Sequence, residues 1–216
     1  FEADAGNSIS LFDDGTGGAV RAHIIDFAAT SIDANGRLIG DIVGLNGSDY
    51  LPVPDVTASQ SATFTTDGLA TFYGTVSAAT ITVTSSDIDI LDGGSLGVFG
   101  TTNLITLNAI GNGQPVLIGD AGEGSGFGQY VLNETDIEAS AIVINALGIE
   151  GAGADVHIYD VAIDGSQTAG GGVHTVTVNT GGSVLVNGVI DYVNVAANDH
   201  LTINAGEIIA VNTDTG

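Results

Sequence analysis

Four stretches of this chain repeat one step, in which residues of strand-forming type lead into an asparagine followed by a small residue. They are Leu104-Ile105-Thr106-Leu107-Asn108-Ala109, Ala141-Ile142-Val143-Ile144-Asn145-Ala146, Thr175-Val176-Thr177-Val178-Asn179-Thr180 and His200-Leu201-Thr202-Ile203-Asn204-Ala205. The asparagines lie 37, 34 and 25 residues apart. A weaker copy, Ile81-Thr82-Val83-Thr84, sits 24 residues before Asn108. Repeats of this length, with room for insertions, are what a coiled β-solenoid gives, because each unit buries its apolar side only against the next.

Elsewhere too, apolar residues come at alternate positions in short bursts closed by Gly, Ser, Asp or Asn, as in Ile88, Ile90 and then Leu96, Val98. Period two means strands. The nearest approach to helical spacing, Asp136 to Leu147, runs into the β-branched string Ile142-Val143-Ile144. The fold class expected is therefore all-β: a parallel β-solenoid, with a β-sandwich as the alternative, since sandwiches also have short strands and frequent turns. The recurring asparagine favours the solenoid. At a corner between two strands Asn tolerates left-handed backbone, and its amide can donate and accept along a column of its copies.

Composition narrows the function. The 216 residues carry 26 carboxylates against two arginines and no lysine, a formal charge of -24. Such a chain repels nucleic-acid phosphates and anionic bilayers, whose binding needs clustered Lys and Arg. The hydrophobic fraction of 44% excludes an acidic disordered segment, and no apolar run approaches the roughly 18 residues of a membrane helix. With no Cys, there are no disulfides, thiolate metal sites or cysteine nucleophiles. With no Met or Trp and few rings, the core is expected to be Val, Ile, Leu and Ala. The missing Met and the mid-pattern ending at Asp214-Thr215-Gly216 are expected of a section of a longer chain.

Residues 1–70 read differently from 71–216. Asn35-Gly36 and Asn46-Gly47 sit beside apolar runs and predict two-residue hairpins. Both arginines, Arg21 and Arg37, and two of the three prolines, Pro52 and Pro54, are here. The expectation is a hairpin-bearing cap or insertion region over 1–70, an exposed linker around Pro52 to Ser61, and the solenoid segment over 71–216. A Gly-rich loop, Gly119 to Asn133, is expected to bulge out.

Few residues suggest chemistry. Asp87, Asp89 and Asp92 form a D-x-D-x-x-D-G string in which alternation with Ile88 and Ile90 puts the first two on one outward face and the third at a turn. Three such carboxylates suit a hard cation such as Ca²⁺, against the plain alternative of a solvated acidic face. The spacing is neither that of an EF-hand nor that of the calcium-binding β-roll repeat. Asp13-Asp14 and Asp160 with Asp164 are weaker clusters. The histidines His23, His157, His174 and His200 are scattered singly and read as polar positions on strands. No nucleophile and base pair stands out, and no catalytic residue is assigned.

The segments Ile81 to Gly97, Ala141 to Ala146 and Gly181 to Gly216 resemble exported bacterial β-helical proteins of filamentous-haemagglutinin type. The likeness covers about two-thirds of the chain, from residue 75 onward. The family's secretion motif with its Asn-Pro-Asn-Gly strings is absent, as expected of the middle of a fibre. The resemblance implies a right-handed parallel β-helix and a place on the cell surface or outside the cell, as a structural fibre, filament or layer joined to copies of itself or to flanking solenoid. The alternative is an adhesin whose loops at 47–62 and 119–133, with Tyr50, Phe127 and Tyr130, touch surface carbohydrate. A polysaccharide-active enzyme ranks last: Asn212-Thr213-Asp214 is similar to the first polygalacturonase motif, but no Gly-His-Gly and no Lys accompany it.

Overall fold

The computed structural model describes residues 2–11, 18–34, 36–91, 93–98, 100–111, 113–118, 129–130, 137–148, 153–159, 161–164, 173–188, 190–193 and 199–210. Among these every regular element is a strand, and every pairing between named strands is parallel. Strands β1 (Glu2–Leu11), β2 (Ala19–Arg21), β3 (Ile24–Ala34), β4 (Arg37–Asn46), β5 (Tyr50–Val53), β6 (Val56–Thr65), β7 (Leu69–Phe72) and β8 (Thr75–Ser77) come first. They are followed by β9 (Thr80–Ser85), β10 (Asp87–Ile90), β11 (Ser95–Gly97), β12 (Leu104–Ile110), β13 (Val116–Ile118), β14 (Gln129–Tyr130) and β15 (Ile137–Leu147). The remainder are β16 (Val156–Ile158), β17 (Val161–Asp164), β18 (Val173–Thr180), β19 (Ser183–Val186), β20 (Ile190–Val193), β21 (His200–Asn204) and β22 (Glu207–Ala210).

Apart from β3 with β4 and β13 with β14, strands adjacent in the chain do not pair with each other, and each lies beside a strand from another pass. The first sheet carries β3, β4, β6, β9, β12, β15, β18 and β21 as successive neighbours. The second runs β5, β7, β10, β14, β13, β16, β19, β22. A third ladder is built from the leading ends of the long strands: Leu38 pairs Val56, Val56 pairs Val76, Val76 pairs Leu96 and Leu96 pairs Ile137. Strands β17 and β20 pair separately.

Alternation sends every second residue of each ladder into one core. From the first sheet come Val43, Ala62, Ile81, Ile105, Ile142 and Val176, and from the second Leu51, Ala70, Ile88 and Val156, all buried. Burying a Val, Leu or Ile side chain contributes about 1.5–3 kcal/mol, so this shared interior dominates the stability. Rings do enter it: Phe27, Phe64 and Phe72 are fully buried, and Phe64 meets Phe72 edge-on with centroids 5.4 Å apart.

The hairpins expected in the N-terminal region are not what these strands make. Strands β3 and β4 flank Asn35-Gly36, yet they pair in parallel, and the strands flanking Asn46-Gly47 belong to different sheets. Asn46-Gly47 leads from one sheet to the other, and the apolar alternation on either side needs an interior that a lone hairpin lacks. The stretch expected as a linker is β5 and most of β6, with Leu51, Val53, Val56 and Ala58 buried. Pro52 is accommodated because β5 is the edge strand of its sheet, where a missing N–H breaks no ladder. Pairing is continuous across residue 70, through β6 with β9 and β7 with β10.

Candidate functional site

The first sheet's outward side presents three columns. One runs Asn46, Thr65, Thr84, Asn108, Asn145, Asn179, Asn204, joined pair by pair in register. From Thr84 onward its side chains are hydrogen-bonded to one another. Asn204 Nδ2 donates to Asn179 Oδ1, Asn179 Nδ2 to Asn145 Oδ1 and Asn145 Nδ2 to Asn108 Oδ1, each at 2.9 Å, and Asn108 Nδ2 donates to Thr84 Oγ1 at 3.1 Å. The four repeated asparagines thus share a column, as their spacing predicts. Asn108, Asn145 and Asn179 lie within strands and Asn204 ends one, and adjacent parallel strands hold the amides one spacing, about 4.8 Å, apart.

The next column, two residues earlier on each strand, is Gly44, Thr63, Thr82, Thr106, Val143, Thr177, Thr202, and the one before that is Ile42, Ser61, Thr80, Leu104, Ala141, Thr175, His200. No Asp or Glu stands at any of these positions, in a chain with 26 carboxylates. The carboxylate-free area begins after Asp26, whose carboxylate lies over Gly44: a Cβ there would be 2.9 Å from Asp26 Oδ1.

Beside the asparagine column a shallow groove of about 610 Å³ runs across the strands, walled by Asn145, Asn179 and Asn204 on one side and by Gly153, Gly181 and Gly206 on the other. These glycines let successive passes touch: a Cβ on Gly153 would fall 2.0 Å from Gly181 N. The groove's described lining holds no charged and no aromatic side chain.

The sequence-predicted cation residues are placed only in part. Asp87 and Asp89 share the outward side of β10, about the buried Ile88, and Asp87 Oδ1 accepts the Ile88 N–H at 2.8 Å. Asp92 lies outside the described residues, as do Asp13, Asp14 and Asp160, the side chain of Asp164 and Phe127. Among the described residues no three His, Cys, Asp or Glu side chains are grouped to hold a metal. Other aspartates have backbone partners: Asp55 Oδ1 accepts the Thr75 N–H and Asp155 Oδ1 the Ser183 N–H, both at 2.8 Å and both one pass away. Tyr50 is exposed on β5, and the side chain of Tyr130 is not described.

One cluster has the residue types of a hydrolytic triad in the wrong order. Ser59 Oγ donates to Asp41 Oδ1 at 2.6 Å, while His23 Nδ1 pairs with Asp41 Oδ2. An activated serine needs the imidazole between hydroxyl and carboxylate. Here the carboxylate is central, so the three tie successive passes together at the surface. His157 and His200 are strand positions, and the side chain of His174 is not described. Tyr73, which no local pattern in the sequence singles out, has a buried hydroxyl with no hydrogen-bond partner among the described residues. Burial, then Asp33, Tyr50 and Asp55, push its pKa up to about 12, so it stays protonated at ordinary pH.

Set against family models, curated proteins and solved structures, the chain matches none.

Proposed function

We propose that this chain is a section of a right-handed parallel β-helix, of the filamentous-haemagglutinin type its sequence resembles, acting as a structural rod on a bacterial surface or outside the cell. The observation that carries the reading is the in-register ladder that joins one pass to the next from Ile42 to Asn204, with hydrogen-bonded asparagines on its outward side. At about 4.8 Å per pass, the nine first-sheet strands from β1 to β21 span roughly 40 Å. Strand edges at the ends of such a rod join more of the same solenoid, a cap or another copy.

The acidity fits an extended, hydrated rod, because self-repulsion that burdens a compact particle is relieved along a fibre and by screening. Immunogold electron microscopy of the cells that make the protein tests the proposal. Label along surface filaments or a surface layer is expected; label confined to the cell interior overturns it. Catalysis is not part of the reading, since the nearest constellation, Ser59 with Asp41 and His23, has the carboxylate where the base must be.

A further inference from the structure

We infer that the outward side of the first sheet, with the groove along its asparagine column, is a binding site for a neutral, extended polysaccharide lying along the stacking direction. Four observations lead there. The groove crosses three passes, and at about 610 Å³ it has the size of a ligand site. An amide has two donor hydrogens and two acceptor lone pairs on its oxygen, and the column uses one donor site of Asn145, Asn179 and Asn204 and one acceptor site of Asn108, Asn145 and Asn179. Remaining donor and acceptor capacity therefore recurs once per pass, about every 4.8 Å, a spacing suited to a chain of hydroxyl-bearing rings. Thr177 and Thr202 add hydroxyls one column over.

The fourth observation is electrostatic and selects the ligand class. Carboxylates are absent from all three columns from Ile42 to Asn204 although the chain carries a formal charge of -24. An anionic polymer is held off by the rest of the surface, and a cationic one finds no counter-charge here. A neutral polyol loses nothing by either rule. A second copy of the chain is the competing occupant, and area decides against it. Seven strands by five residues is roughly 500 Å², whereas a stable protein interface needs about 800 Å² per partner. A single polysaccharide chain needs only the groove and one column beside it, and weak contacts repeated along the chain add up.

The test is native affinity electrophoresis of the protein through gels containing a soluble mixed-linkage β-glucan, a β-mannan or polygalacturonate, with circular dichroism melting of each variant as the fold control. At least one neutral polymer is expected to retard the wild type, and polygalacturonate is not. The double substitution T177D/T202D places charge on the outward side without touching the amide column, and is expected to weaken retardation at least tenfold. The single substitution T202D, at an exposed position of β21, the last strand of the first sheet, is expected to weaken it in the same direction and keeps the test open if the double variant melts early. Ser77→Asp, on a different ladder, should bind as wild type does. The inference is overturned if neither neutral polymer retards the wild type, if polygalacturonate retards it equally, if folded T202D or T177D/T202D binds unchanged, or if Ser77→Asp weakens binding as much. None of these outcomes bears on whether the chain is a surface rod, which the microscopy decides separately.

Discussion

Replacing Asn179 tests the column most directly, because it is bonded on both sides. Its Nδ2 donates to Asn145 Oδ1 and its Oδ1 accepts from Asn204 Nδ2, both at 2.9 Å. A neutral hydrogen bond contributes about 1 kcal/mol net, and an orphaned group near the surface recovers part of its loss from water. Asn179→Ala should therefore cost about 1–2 kcal/mol. Asn179→Asp should cost more at pH 7, about 2–3 kcal/mol, since the carboxylate can accept from Asn204 but sets its lone pairs against Asn145 Oδ1. Protonation returns a donor to that position. The folded variant then holds its proton more tightly than the unfolded chain, so the contribution is present at low pH and lost as pH rises through the carboxylate range. Urea denaturation at pH 7.0 and pH 4.5, with the wild-type value subtracted at each pH, isolates this group from the other carboxylates. Thr177→Ala, on the same strand and one column over, is the control. If Asn179→Ala costs no more than Thr177→Ala, or the Asp variant's penalty is the same at both pH values, the amide bonds do not hold the passes together.

Other outcomes follow from single sites. Tyr73→Phe removes a buried hydroxyl that has no partner among the described residues and should stabilise by about 1 kcal/mol at pH 8. Because the folded-state pKa of Tyr73 is raised to about 12 from 10.0, the wild type alone should also lose stability between those pH values, by about 1–2 kcal/mol after allowance for solvent around the half-exposed ring; equal alkaline losses in both proteins would refute this. Gly74→Ala sets a Cβ 2.3 Å from Asp55 N and should cost about 2–4 kcal/mol, read by the same denaturation curves; a cost under about 0.5 kcal/mol would mean the two passes do not touch there. Raising NaCl from about 10 mM to 500 mM should raise the melting temperature of so anionic a chain, and a flat response would remove self-repulsion as a term in its stability. Calcium that stabilises no more than sodium at equal ionic strength would remove Asp87 and Asp89 as ligands.

The column was legible in the sequence because Asn108, Asn145, Asn179 and Asn204 each sit one residue after a buried apolar position, Leu107, Ile144, Val178 and the partly buried Ile203. Alternation plus a shared polar terminus fixes register even when the linking segments differ in length. The N-terminal passes are harder to read for a physical reason. Their column positions are Asn46, Thr65 and Thr84, and two of those are threonines that any strand uses. Turn dipeptides there report a change of direction and not which strand lies alongside. The order of Ser59, Asp41 and His23 was not legible at all. It depends on the offset between β4 and β6, where the register shifts between Gly40 and Ile42, and no local pattern encodes that offset.

From Thr65 onward the change from threonine to asparagine along the column tracks pass length, and Asn46 at its head stands outside the trend. From Asn46 to Thr65 and from Thr65 to Thr84 the register advances by 19 residues each time, and beyond Thr84 by 24, 37, 34 and 25. Short passes leave the linking turns little slack, so strand register follows from turn geometry. Longer passes lose that constraint, and a strand could slide by two residues while keeping its apolar side inward. A slide of two would set the asparagine of one pass against Thr106, Val143, Thr177 or Thr202 of its neighbour in place of another amide. The amide bonds penalise that slide, and they occur on the passes whose linking segments no longer do so. Insertions between strands are thereby tolerated without disturbing the outward columns, as the proposed rod would require to keep one side free of carboxylates along its length.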